Sequence, residues 1–286
     1  MKRVVMLSVM VVIVVGVVFV LSRDGTVSGL VPSGGVASAS AADGTGPPDV
    51  AGSEDSGTGM AAIERARESG RYLFIFFHGG GDARMTAEMR NVFDNAVEEL
   101  DGRVDHIAIN VKSAAERDIV DKLKVDRAPM PLAVAIAPNG AITGGFPGRF
   151  TKEQLAGSIV SAATEKCLAA LQDGDIVLVC VQGASTTKND AAMTGVRALE
   201  ADTRYADTSS VVMVDPGDSR ERELLDRLGV DVGTAEAITI MMVPPATAVA
   251  QFSGETDETM LVKALEAAAS AAACAPGAGS GCCPGK

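Results

Sequence analysis

The 286-residue sequence predicts an α/β protein made of two tandem copies of one unit, each a central mixed β-sheet flanked by helices, after an N-terminal transmembrane helix. Three observations predict it. From residue 60 onward, short apolar runs alternate with segments of helical period. Residues 116–126 (Glu-Arg-Asp-Ile-Val-Asp-Lys-Leu-Lys-Val-Asp) align without a gap to residues 221–231 (Glu-Arg-Glu-Leu-Leu-Asp-Arg-Leu-Gly-Val-Asp). Hydrophobic residues make up 47% of the chain and charged residues 22%, enough apolar material for real cores and too much for a wholly disordered chain.

The first unit reads in order. Residues 61–70 form a helix and 72–77 a continuous apolar strand. The Gly-rich turn from His78 to Asp82 opens a helix over 83–100, with Met85, Met89, Val92, Phe93 and Val97 on one face. A strand at 106–111 and a helix at 113–124 follow. Strands at 132–137 and 141–145 are joined by Pro138-Asn139-Gly140, a hairpin signal. A closing helix spans 151–171 with Thr151 as its N-cap and Glu153 nearby. The same order returns as a strand at 175–181, a helix at 188–202, a strand at 211–214 and a helix at 218–228. Strands at 237–243 and 246–252 then flank Pro244-Pro245, before a helix at 257–272. The matched charges of 116–126 and 221–231 read as the solvated face of a helix that packs Ile119, Val120 and Leu123 inward.

Met1-Lys2-Arg3 precedes an apolar run from Val4 to Leu21, broken only by Ser8 and Gly16. At helical rise it spans roughly 27 Å, close to a bilayer's hydrocarbon core and longer than a typical signal-peptide run. The positive charges before it place the N-terminus in the cytoplasm and export the rest, to the periplasm or the extracellular space. Ala37-Ser38-Ala39 and Ala39-Ser40-Ala41 lie too far past Leu21 for comfortable cleavage, whereas Val20-Leu21-Ser22 keeps a cleaved signal open. Residues 1–21 are thus a single-pass signal anchor and 22–58 a Gly-, Ser-, Ala- and Pro-rich linker. Residues 59–171 and 172–270 are the two units, and 271–286 a cysteine-containing tail.

Charge and composition exclude several function classes. The net charge of −12 and the 3% aromatic content oppose nucleic-acid binding, which needs a basic face and stacking platforms. Residues 60–171 carry 14 basic and 15 acidic side chains, and residues 172–270 carry 7 and 17. The first unit is therefore near neutral and the second near −10. The His78-Gly79-Gly80-Gly81-Asp82 turn lacks the Lys-Ser/Thr of a P-loop and does not fit Gly-x-Gly-x-x-Gly, so no nucleotide is expected.

An apolar strand ending at a turn that opens a long helix, Val125-Asp-Arg-Ala-Pro-Met-Pro131 before a strand, and the Asn-Gly hairpin followed by Gly145-Phe-Pro-Gly148 together resemble the thioredoxin-like superfamily, twice over across residues 60–270. The resemblance implies a Cys-x-x-Cys at the turn and a cis-proline loop before the strand. Pro131, directly before the strand, is the better cis candidate, with Pro129 the alternative. The dithiol is missing, because no cysteine precedes Cys167. The first turn has His78, Gly79, Gly80, Gly81, Asp82 and Arg84 in its place, and the second has Gln182-Gly-Ala-Ser-Thr186. The second copy also has Glu236-Ala237 where the first has Met130-Pro131.

Redox exchange at the family site therefore lacks its thiolate. His78 with Asp82 could serve as an acid–base pair but reads first as a strand-end residue, and His106 reads as an edge residue at a strand start. Cys180 reads as buried and inert, and a Cys167–Cys180 bridge stays open. Cys274, Cys282 and Cys283 place three thiols in the tail, open to oxidation or to a soft metal such as Cu(I) or Zn(II). No other cofactor is expected. The resemblance implies a membrane-anchored, redox-inactive protein-binding, scaffold or chaperone-like module, holding a protein partner near Pro131 and the 78–84 turn rather than acting as an enzyme. The alternative is a thiol-transfer or metal-handling protein acting through its tail.

Overall fold

The computed structural model describes residues 58–100 and 102–273. The anchor, the linker before Thr58 and the three tail cysteines lie outside the described residues. Among the described residues no helix is long and apolar enough to cross a membrane.

Two mixed four-stranded sheets carry the fold, as two tandem thioredoxin-like domains would have. In the first unit, α1 (Thr58–Ser69), β1 (Tyr72–His78), α2 (Ala83–Glu99) and β2 (Val104–Asn110) lead to a 3-10 turn and α3 (Arg117–Leu123). Then come β3 (Leu132–Ile136), β4 (Ile142–Pro147) and the short α4 (Lys152–Ala156). The second unit repeats this with α5 (Ala162–Asp173), β5 (Ile176–Val181), α6 (Asn189–Ala201), β6 (Ser209–Val214), α7 (Arg222–Leu228), β7 (Ile238–Val243), β8 (Thr247–Ser253) and α8 (Glu258–Ala273). The sheet orders are β2-β1-β3-β4 and β6-β5-β7-β8. In each, the first two strands pair parallel and the rest antiparallel.

Both central strands are buried on two faces, which is why their sequences are continuous apolar runs. Tyr72, Phe74 and Phe76 pack towards α2 and α4, and Leu73, Ile75 and Phe77 towards α1 and α3. Phe74, Phe76, Phe77 and Phe93 are fully buried, each worth roughly 2–3 kcal/mol of transfer free energy. Among the described residues the second core has no fully buried aromatic side chain, Tyr205 and Phe252 packing half-buried against it. It is built from Val, Leu, Met, Ile and Ala, with Cys167 and Cys180 among them.

One expected element is corrected. The helix over 151–171 is broken into α4 and α5. Thr151 and Gln154 form a capping box on α4, where the sequence reading pointed to Glu153. Gly157 ends α4, the Ser158 hydroxyl donates back to the Leu155 carbonyl, and Ser161 starts a new helix by accepting from the Thr164 amide. The β-branched Ile159 and Val160 between these caps favour extended backbone. Ala163, Cys167, Ala170 and Leu171 of α5 pack into the core of the second sheet, so α5 opens the second unit instead of closing the first.

Helix α5 also touches the first unit. Leu168 and Ala169 pack on its core, and Tyr72 donates to Glu165 at 2.6 Å. The Gln172 amide pairs with both main-chain groups of Ile142, at 2.9 and 2.8 Å, and so covers the first residue of β4.

Each copy of the charged repeat begins with a buried carboxylate, not a solvated one. Glu116 and Glu221 are each only 8% exposed. Glu116 accepts from the Gly59 amide at 3.0 Å and from the Thr58 hydroxyl at the start of α1. Glu221 accepts from the Ser161 hydroxyl at 2.5 Å at the start of α5. The rest of the repeat follows the expectation, with Ile119, Val120 and Leu123 buried.

Candidate functional site

At the C-terminal end of β1 the chain turns through Gly79, Gly80 and Gly81 before Asp82 caps α2 by accepting from the Met85 amide at 2.9 Å. The turn is close-packed. A Cβ on Gly79 would lie 2.1 Å from Asn110 Oδ1, and one on Gly81 would lie 2.8 Å from the Met130 carbonyl oxygen. Both have positive φ, 108° and 78°, so glycine meets a conformational and a steric demand at once. Gly80 is different: a Cβ there would make only ordinary contact, 3.7 Å from Met130 Cγ.

The opposite wall is the loop before β3, where the Met130-Pro131 peptide is cis. Ala128 still donates to Val125 within the preceding 3-10 turn, and the Pro131 carbonyl accepts from Gly148 at 2.7 Å. Between them, the Pro129 carbonyl and the Met130 amide and carbonyl have no hydrogen bond among the described residues. Met130 is half-buried against the core on the α1 and α3 side of the sheet, beside the glycine turn.

The polar residues predicted for this region do not assemble into a reaction centre. His78 stacks on Phe76 with ring centroids 6.3 Å apart, and its carbonyl accepts from the Val111 amide at 2.8 Å. Burial, then the nearby Arg90 charge, lowers the His78 pKa and keeps the ring neutral at neutral pH. Asp82 is committed to its cap, and no hydrogen bond joins it to His78 among the described residues. Arg84 is exposed and pairs with Glu88 at 3.2 Å, which also pairs with Arg149 at 3.2 Å. His106 is an exposed residue of the edge strand β2 with its ring near Phe93. An open cleft flanks β2 and is lined by Arg71, Asp105 and His106, away from the turn.

The second unit builds the same place differently. Strand registers equate Val181 with Phe77 and Ile238 with Leu132, which sets Gln182 opposite His78 and Glu236 opposite Met130. From His78 the helix cap comes four residues on, at Asp82; from Gln182 it comes six on, at Lys188. The two extra residues reach across to the facing loop. Thr187 donates its amide and its hydroxyl to the Ala235 carbonyl, both at 2.9 Å, and accepts from the Ala237 amide at 2.9 Å. The Glu236 carbonyl accepts from the Thr234 hydroxyl at 2.9 Å. The sequence carries this difference as a loop-length change, legible once the strands are aligned.

The described thiols are chemically quiet. Cys167 and Cys180 are both free and buried, so no bridge joins them. Burial, with minor help from Glu221 and Glu200, pushes each thiol from 9.0 up to about 12. Neither should react with iodoacetamide in the native protein at pH 8, whereas both react after unfolding; mass spectrometry reads the adducts. Unfolded thiols lose protons near pH 9 and the folded ones only near pH 12. Stability is therefore full below pH 9 and falls as pH rises through that window, a slope that alkaline denaturation curves should show. Among the described residues no group of three or more His, Cys, Asp or Glu side chains is placed to hold a metal ion.

No protein-family profile and no curated protein matches this sequence. Solved structures similar to it have thioredoxin folds. The first two thioredoxin domains of Saccharomyces cerevisiae Eps1p are 13% identical over 76% of this chain and 98% of theirs, with a TM-score of 0.29. The zinc-bound form of human ERp44 is 13% identical over 75% of this chain and 60% of its own, with a TM-score of 0.32. A putative oxidoreductase with a thioredoxin fold is 19% identical over 35% of this chain and 88% of its own, with a TM-score of 0.29.

Proposed function

We propose that this chain is a membrane-anchored, exported binding module that holds an extended segment of a protein partner along the Pro129–Met130 main chain of its first unit. It does so without disulfide exchange. The observation that carries the reading is the run of three unpaired main-chain groups beside a turn stripped of side chains. An extended segment would pair these main-chain groups as an added strand does. Gly80, the one glycine of the turn that is not tightly packed, leaves room for a side chain of that segment, and the half-buried Met130 offers it an adaptable apolar contact. Dithiol chemistry has no thiolate to start from at either turn. The acidic second unit favours a basic partner and repels anionic lipid.

The test uses the full chain in detergent micelles and, as probe, fluorescently labelled ribonuclease A that has been reduced and carboxamidomethylated, a basic chain with no fixed fold. The Gly80→Trp variant sets a bulky ring over Met130 at a position where a Cβ is sterically free. The native chain should bind the probe, and Gly80→Trp should weaken binding by at least about tenfold with an unchanged melting temperature. Equal binding by the two proteins, or none by the native chain, overturns the reading.

A further inference from the structure

Resting on that reading, we propose that Thr187 and Lys188 are a built-in occupant of the matching edge in the second unit, so that each chain offers one docking edge and not two. Thr187 makes one contact that a docked segment would make at the first edge, to the carbonyl of Ala235 that matches Pro129, and a second to an amide that the first edge lacks. Its amide and carbonyl bond the Ala235 carbonyl and the Ala237 amide on either side of Glu236, a one-residue parallel bridge. In the first unit the equivalent positions are Pro129, Met130 and Pro131. There the Pro129 carbonyl is unpaired and Pro131 has no amide to offer.

The strap is built rather than slack. Lys188 takes a left-handed conformation, φ 60°, that lysine seldom adopts, and its ammonium pairs with the Glu236 carboxylate at 2.7 Å. On the other side of Thr187, the buried Thr186 hydroxyl binds Gly183 and donates to Asn189 at 2.7 Å. Thr187 is thus fixed from both neighbours, and the segment that seals the edge is only two residues longer than the open turn.

The experiment places the strap deletion in a chain whose first edge is blocked. Gly80→Trp alone should lose the unfolded ribonuclease A probe. Gly80→Trp lacking Thr187 and Lys188 should regain it to within about threefold of the native chain. Hydrogen exchange on the native full chain supplies an independent reading. The Ala237 amide, bonded to Thr187, should exchange at least about a hundredfold more slowly than an exposed amide. A folded deletion variant that stays unable to bind, although the native chain binds, overturns the strap and leaves the first edge standing. Fast exchange at Ala237 in the native chain overturns it even if the deletion variant does not fold. A native chain that binds no probe overturns the reading of the first edge instead.

Discussion

Glu116→Ala should destabilise the first unit by about 3 kcal/mol. The Glu116 carboxylate is buried and accepts from the Gly59 amide and the Thr58 hydroxyl, both at the start of α1. Four amides at that end have no partner within the helix, and the positive end of the helix dipole favours an anion there. Truncation leaves the buried Gly59 amide without its acceptor. It also opens space beneath Gly59, where a Cβ would already lie 2.9 Å from the Glu116 side chain. Glu116→Gln keeps an oxygen acceptor and loses the charge, so about half the penalty should return. Urea denaturation of the full chain measures both, as a lowered midpoint at unchanged slope. A Glu116→Ala midpoint equal to the native one would show that this carboxylate does not hold the start of α1 in place.

Gly195→Ala should destabilise the second unit by about 3 kcal/mol, at the upper end of overpacking costs. In an ordinary helix the same change stabilises by up to about 1 kcal/mol, so the sign is diagnostic. The reason lies in how residue 256 meets α6. The Gly195 amide donates to the Thr256 carbonyl at 2.9 Å, and the Thr256 amide donates to the Ala191 carbonyl at 3.4 Å. The main chain of Thr256 thus bonds two residues one helical turn apart. A Cβ on Gly195 would come within 2.5 Å of the Thr256 oxygen and 2.6 Å of the Asp257 carbonyl carbon, and these are main-chain atoms that cannot rotate away. In the first unit, the amide of Phe150 reaches the Met89 sulfur at 3.4 Å, so there a side chain fills the equivalent gap. Thermal melts of native and variant chains decide the matter.

The alternation of two-sided apolar strands with amphipathic helices was legible because burial on both faces demands continuous apolar residues, and Phe74 to Phe77 leave no other reading. The repeat placed both copies of its helix correctly, because Ile119 and Leu224 must face inward at helical spacing. What escaped was set by contacts distant in sequence. Glu116 looks like any charged helix residue until Gly59, 57 positions earlier, arrives against it. The break between α4 and α5 was signalled by Gly157-Ser158 and by Ser161, yet the apolar face of α5 could belong to either unit from spacing alone. The site was legible as a turn facing a proline loop. Which copy is open depends on Thr187 crossing 49 positions to Glu236, and no local pattern encodes that crossing.

Helix α5 serves both units at once, with Cys167 and Leu171 in one core and Leu168 against the other. A gene fragment ending after the first unit would therefore expose the first residue of β4 that Gln172 now covers, along with the Tyr72 hydroxyl that Glu165 now accepts from. A fragment beginning at the second unit would carry α5 with its outer apolar stripe bare. Cut apart, each half would lose cover that the other supplies, so the two should unfold together in one transition.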